Sequence, residues 1–201
     1  MARVIADISM SLDGFVTGPH PGPDNGLGDG GEGLHTWALR PDAVDSDVLD
    51  GTVAATGAVI MGRRLFDIID GPHGWNDKMG YGADRAAEPP VLVVTRNPPE
   101  HVRLADRITF VVDGLANAVA AGAAIAEERD VVIMGGAEII RGALEAGLVH
   151  ELRLHLSPVL LGAGTPLFAA GPPGGSRPSP RLRQILVRPS AHATHLTYLV
   201  E

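Results

Sequence analysis

Two adjacent glycines, Gly135 and Gly136, follow the apolar run Val131-Val-Ile-Met134 and precede Ala137 to Glu145, where Ile139, Ile140 and Leu144 recur at helical spacing. A β-branched run that feeds two glycines and then a helix brings free N–H groups and the positive end of a helix dipole to a point with no Cβ in the way. That chemistry suits an anion, and a phosphate above all. A plain tight turn between strand and helix would use the same dipeptide, so both readings stand on these two residues alone. A second such stretch is Ala58-Val-Ile-Met-Gly-Arg-Arg64, where Gly62 is followed by Arg63 and Arg64. Two guanidinium groups there suit a monophosphate ester such as the 2′-phosphate of NADP. The alternative is a pair of solvated helix-start arginines, although cations oppose the dipole at that end. Thr95-Arg96, at the end of another apolar run, adds a hydroxyl and a third guanidinium. In open α/β sheets ligands settle at the carboxyl ends of strands, so these groups are expected to converge on one crevice.

The elements that must position them alternate between β-like and helical patterns, which points to an α/β layered fold with no internal repeat. Strands are expected at Arg3 to Met10, Ala58 to Met61, Val91 to Thr95, Ile108 to Val112 and Val131 to Met134. Helices are expected from Pro41 to Val53, from Arg64 to Ile69, from Leu115 to Glu127 and from Ala137 to Glu145. Thr17 to Gly33 and Gly71 to Pro90 read as long irregular loops that carry substrate choice. Glu151-Leu-Arg-Leu-His-Leu156 alternates cleanly, as a strand with one wetter face does. Leu182 to Arg188 and Thr194 to Val200 complete the sheet, after Gly- and Pro-rich loops, so its end is expected to be antiparallel.

At 201 residues the chain suits a single domain, 1–201, with a full core. Its 45% hydrophobic and 20% charged residues and mean hydropathy of +0.13 describe an ordinary globular protein. No apolar leader or spanning stretch is visible, so a cytoplasmic location without a membrane partner is expected. The absence of cysteine excludes disulfides, thiolate metal sites and a cysteine nucleophile. A net charge of -8 and 4% aromatics argue against nucleic acid. His150 and His155, like His192 and His195, are separated by odd numbers of residues and would point to opposite faces of a strand, so no metal site is expected. No nucleophile elbow, Walker loop or zinc-protease motif is present.

The ordered motifs Ile8-Ser-Met-Ser-Leu-Asp-Gly-Phe15, Val59-Ile-Met-Gly-Arg63, Val93-Val-Thr-Arg96, Ile133-Met-Gly-Gly136 and Leu156-Ser-Pro-Val-Leu-Leu-Gly162 resemble the dihydrofolate-reductase-like family. Within it, the chain is similar to the reductase domain of the bifunctional riboflavin-biosynthesis enzyme. The resemblance implies a three-layer α/β/α fold, a mostly parallel central sheet with antiparallel C-terminal strands, and NADPH as cofactor. It implies that Gly135, Gly136, Ala137, Glu138 and Ile139 line the pyrophosphate, and that Gly62, Arg63, Arg64, Thr95 and Arg96 hold the adenosine ribose and its 2′-phosphate. Ile8 and Ser9 match positions beside the nicotinamide, and Trp37 resembles a tryptophan near the cofactor. It also suggests a homodimer, for which an exposed sheet edge near Leu152 to Leu156 is a candidate. The substrate side departs from the pattern. Where dihydrofolate reductase has a helix carboxylate, the count lands on Ser46, with Asp45 and Asp47 on either side. Where the riboflavin reductase has a glutamate before the glycine pair, this chain has Met134. Asp13 sits near the cofactor mouth as a candidate to position substrate or relay a proton, or simply to form an Asp-Gly turn. The function expected is NADPH-dependent hydride transfer to a small conjugated or heterocyclic substrate, pterin- or pyrimidine-like. The alternatives are a non-catalytic nucleotide-binding module and a purely structural protein with a decayed pocket.

Overall fold

In a computed structural model, which describes residues 2–76, 78–83, 88–168 and 180–201, most of the long elements fall within one or two residues of those expected. The strands are β1 (Val4–Ser11), β2 (Phe15–Thr17), β3 (Thr56–Gly62), β4 (Val91–Val94) and β5 (Ile108–Val111). They continue with β6 (Asp130–Gly135), β7 (Glu151–Ser157), β8 (Thr165–Pro166), β9 (Leu182–Pro189) and β10 (Thr194–Val200). The helices are α1 (Thr36–Leu39), α2 (Ala43–Ala55), α3 (Arg63–Ile69), α4 (Leu115–Ala126) and α5 (Ala137–Glu145). A short 3-10 helix, Gly31–His35, leads into α1. Parts of two expected loops, 77 with 84–87 and 169–179, lie outside the described residues.

Eight strands form one sheet in the order β5-β4-β3-β6-β1-β7-β10-β9. Neighbours from β5 through β7 run parallel, and the pairings of β10 with β7 and with β9 are antiparallel. The central strands are apolar on both sides because helices cover both faces. On one face, Ala58, Ile60 and Ile133 pack with Ala118 and Val119 of α4 and Ile140, Ala143 and Leu144 of α5. On the other, Val59, Met61, Val91 and Val93 pack with Phe66 and Ile69 of α3. Phe66 is 1% exposed and meets Phe110 of β5 edge to face, with ring centroids 5.2 Å apart.

Helix α2 lies on the α3 side of the sheet, farther along it. Its start is set by a capping box in which Asp42 accepts the Val44 and Asp45 amides while Asp45 accepts the Asp42 amide. Asp42 also accepts the Ala191 amide, which ties α2 to the turn between β9 and β10.

Two expectations need correction. The alternation in β7 does mark two different faces, but the polar one is not wet: Glu151, His155 and Ser157 are 5%, 3% and 0% exposed. The 3-10 helix, α1 and α2 cover that face, and Ser157 donates its hydroxyl to the Leu34 carbonyl. Nor is β7 an edge, since it runs between β1 and β10; the edge on that side is β9. The alternation rule reads polarity and not solvent, so a polar face satisfied internally looks the same in sequence.

Because Phe66 roots α3 in the core, Phe66→Ala is expected to lower unfolding free energy by about 3–5 kcal/mol. Urea unfolding followed by circular dichroism measures this, and a loss below about 1 kcal/mol would show that α3 is anchored elsewhere.

Candidate functional site

Strands β3 and β6 are neighbours, yet the helices that follow them leave toward opposite faces of the sheet, α3 to one and α5 to the other. Such a divergence opens a crevice at the carboxyl ends of the strands. Both helices begin on a glycine, Gly62 for α3 and Gly136 for α5, and neither start is capped by a side chain. Helix α4, which starts on Gly114, also lacks a side-chain cap, so what sets α3 and α5 apart is that they begin at the ends of two adjacent strands. The first-turn amides of α3 and α5 are left for an outside acceptor.

The glycines fit close approach by a ligand. Gly135 has φ of +131°, a conformation suited to glycine, and the Gly135–Gly136 peptide is cis. A Cβ built on Gly136 would meet nothing within 4 Å, so the space above it is open. A Cβ on Gly135 would stand 3.6 Å from Ile8 and Leu65, which places Ile8 of β1 beside the glycine pair. Ala137 is buried at 3%, while Glu138 projects outward and faces Arg64 across the crevice at 3.8 Å. Both partners of that pair are largely exposed, at 92% and 81%, so it contributes little to stability.

The expected phosphate-binding residues separate into two kinds. Arg63 is engaged, giving Nε to Asp67 at 2.7 Å and another N–H to the Asn97 carbonyl. Thr95 also serves this turn, since its hydroxyl donates to the Asn97 carbonyl and accepts the Asn97 amide, both at 3.3 Å. These two residues brace the ends of β3 and β4, which are paired at Gly62 and Val94. Arg64 and Arg96 are exposed, with their guanidinium groups at the rim. The site therefore has two exposed cations, Arg64 beside Glu138 and Arg96, on a braced corner.

Asp13 stands in a tight turn, one of the two settings its sequence position suggests. Its carboxylate accepts the Ser11 hydroxyl at 2.6 Å, the Gly162 amide at 2.7 Å and the Leu161 amide. The Ser11 hydroxyl and the Gly162 amide hold it below the usual carboxylate range. A carboxylate with three donors latches the β1–β2 turn to the segment before β8.

Ser9 and Trp37 meet: the Trp37 indole donates to Ser9 Oγ at 2.9 Å, and both are buried. The Trp37 ring lies 4.0 Å from the ring centroid of His155 and 5.1 Å from that of His195. Asp45, Ser46 and Asp47 are resolved by their contacts. Asp45 is 0% exposed and accepts from His195 at 2.9 Å, whereas Asp47 is outside and pairs with Arg188. Met134 packs beside Phe66 and Met61 instead of presenting a charge.

Sequence reasoning passed over Asp7, His155 and His195. Comparing histidines along a single strand was the wrong comparison, because residues opposed on neighbouring strands share a face. Ser9, His155 and His195 stand side by side in register across β1, β7 and β10. The available signal was a polar residue at the same step of three separately alternating strands.

Among the described residues no helix is long and apolar enough to cross a membrane, and no group of three or more His, Cys, Asp or Glu side chains is arranged to hold a metal. Comparison with known proteins agrees with the fold. An uncharacterised protein from Bacillus subtilis, YyaP, is 27% identical over 173 residues, covering 83% of this chain and 80% of its own. The crystal structure of a putative riboflavin biosynthesis protein from Shewanella sp. PV-4 superposes with a TM-score of 0.70 at 23% identity, covering 100% of this chain and 99% of that one. Dihydrofolate reductase from Enterococcus faecalis, in complex with NADP(H), shares the fold with a TM-score of 0.56 at 14% identity over 98% of this chain and 96% of its own. The family model described as the RibD C-terminal domain matches residues 2–192, and the chain belongs to that family.

Proposed function

We propose that the protein is an NADPH-dependent reductase that transfers hydride to a small conjugated or heterocyclic substrate, pterin- or pyrimidine-like. The observation that carries this reading is the divergence of α3 and α5, each started on a glycine, from the ends of the adjacent strands β3 and β6. Family membership and the dihydrofolate reductase fold support the same chemistry. Gly135, Gly136 and the first turn of α5 would hold the pyrophosphate with backbone N–H groups. Arg64 and Arg96 would hold the 2′-phosphate, with Arg63 and Thr95 fixing the corner from which they project. Ile8 and Ser9 would stand beside the nicotinamide, with Trp37 keeping the Ser9 hydroxyl in place. The dihydronicotinamide supplies the hydride when bound, and the protein contributes orientation, exclusion of water and electrostatics. Hydride transfer needs no protein nucleophile.

The proposal extends to a cytoplasmic homodimer. Edge strand β9 exposes Leu182, Ile185, Leu186 and Val187, each close to half accessible, with neighbours in sequence pointing to opposite faces of the sheet. A long apolar edge invites pairing with a second copy.

Calorimetry with NADPH and NADH is the first test. The double variant Arg64→Ala/Arg96→Ala is expected to bind NADPH on the order of 10- to 100-fold more weakly, with NADH little changed. Equal losses for both cofactors, or no binding by the unaltered protein, would remove the 2′-phosphate assignment. For the dimer, light scattering should give twice the chain mass at micromolar concentration, and Leu186→Arg should shift it toward the monomer. A monomeric mass for the unaltered protein rules the dimer out.

A further inference from the structure

Beneath α2, the polar face of β1, β7 and β10 carries four titratable side chains in a line that the cofactor site does not use. Asp7 Oδ1 lies 2.9 Å from His155 Nε2, His155 Nδ1 lies 2.7 Å from His195 Nδ1, and His195 Nε2 lies 2.9 Å from Asp45 Oδ1. His155, His195 and Asp45 are 3%, 4% and 0% exposed, so water does not intervene. Each contact requires one hydrogen between its heavy atoms, since two facing lone pairs repel. Two neutral imidazoles between two carboxylates bring only two hydrogens to these three contacts. The line is complete only when it holds one proton more.

Its two ends differ. At one, Asp45 Oδ2 accepts the Asp42 amide at 3.1 Å, so that carboxylate is fully used. At the other, Asp7 Oδ2 is buried without a partner. Asp7 stands on β1 on the same face as Ser9, and β1 is the strand that runs beside the glycine-bearing β6. An unpaired oxygen at one end of a proton-holding line is the place where a proton can leave.

We propose that Asp7, His155, His195 and Asp45 form the proton store of the reductase and that Asp7 passes the proton to the substrate. This rests on the reductase reading above. Reduction of a C=N bond adds hydride at carbon and a proton at nitrogen. The reductant is the dihydronicotinamide, which is oxidised. The proton leaves His155 Nε2 for the Asp7 carboxylate, and its new bond there breaks as the substrate N–H bond forms; solvent later restores one proton to the line. Asp7 contacts the substrate in this scheme, whereas His155, His195 and Asp45 act through it.

The surrounding charges suit a proton held near Asp7. Burial would raise Asp7, but His155 beside it, helped by Arg153 of β7, outweighs that and holds its carboxyl below the usual range. Burial pushes His195 down against the pull of Asp45, with Arg188 of β9 adding to the push. From the 3-10 helix, His35 is pushed down to about 4 by burial and by His155, so it stays neutral and does not compete. Tyr81, which follows α3, is pushed above the ordinary phenol range by burial and by Asp7, and stays protonated.

Nitrogen-15 spectra of histidine-labelled protein near neutral pH provide a readout that needs no cofactor. The expected result is Nε2–H on both rings and one further, strongly downfield proton shared by the two Nδ1 atoms. Only two ring protons in total would overturn the store. Turnover of NADPH with dihydropterins and ribosylaminopyrimidines then tests delivery. Asp7→Asn should lose on the order of 100-fold in kcat while still binding NADPH. His195→Gln should displace the limb in which kcat falls as rising pH removes the stored proton. A purely structural role would lower kcat equally at every pH and leave that limb in place, which would overturn delivery. NADPH binding without turnover of either substrate class would overturn it too. Failure of the unaltered protein to bind NADPH would overturn the reductase reading and delivery together, and the spectra would still decide whether the store exists.

Discussion

The position of β6 between β3 and β1 is the constraint on which the rest of the molecule depends. Parallel pairing on both sides buries β6 among apolar strands, and the register with β3 shifts between Ile60 and Met61 so that Met61 faces Gly135. Because α3 and α5 then leave toward opposite faces, their starts are held apart with the strand ends between them. Gly135 cannot be exchanged freely for a residue with a side chain, because its backbone is in the positive-φ region, whereas a Cβ at Gly62 would stand in ordinary contact with Ile139 at 3.8 Å. The strands that form the core thus also position the candidate site.

Much of this was legible in the residues, because strong periodicity and glycine placement report local conformation directly. The α5 boundaries and the β10 boundaries coincide with the apolar patterns that define them. The phosphate-compatible ends of β3, β4 and β6 were also readable, since each is an apolar run followed at once by glycine, threonine or arginine. What escaped was long-range. Arg63 and Arg64 are identical in type and adjacent in sequence, but only the fold shows that Arg63 is spent on Asp67 and the Asn97 carbonyl. Asp13 reads as a turn former or a proton carrier; its partners Leu161 and Gly162 lie 148 and 149 residues away. Short β2 and β8 pair only with each other and carry no periodic signal of their own.

The buried polar face presents the same lesson in energetic form. A line of two carboxylates and two imidazoles is a poor way to stabilise a fold, because desolvation of the charges offsets most of their attraction, and well-packed apolar side chains of similar size are often as good or better. The neighbouring strands of this sheet show that the chain fills such space with valine, isoleucine and leucine elsewhere. Retaining Asp7, His155, His195 and Asp45 here costs stability unless every member is satisfied, and all but one oxygen is.

That single oxygen separates a structural network from a functional one. A network selected for rigidity closes on itself, as the Arg3 cluster does at the opposite end of the strands, where Arg3 meets both Asp130 and Glu151 and Arg153 completes Glu151. There every carboxylate has a guanidinium partner, and nothing is left pointing inward. The histidine line is built around imidazoles, which can carry one proton or two, whereas guanidinium groups keep theirs, and it stops one partner short on β1, beside the glycine-bearing β6. The two clusters share β7 and hold the same number of acids, and differ in the cations chosen and in that one open position. A difference confined to exchangeable cations and an open acceptor is what proton storage requires, and packing alone gives no reason for it.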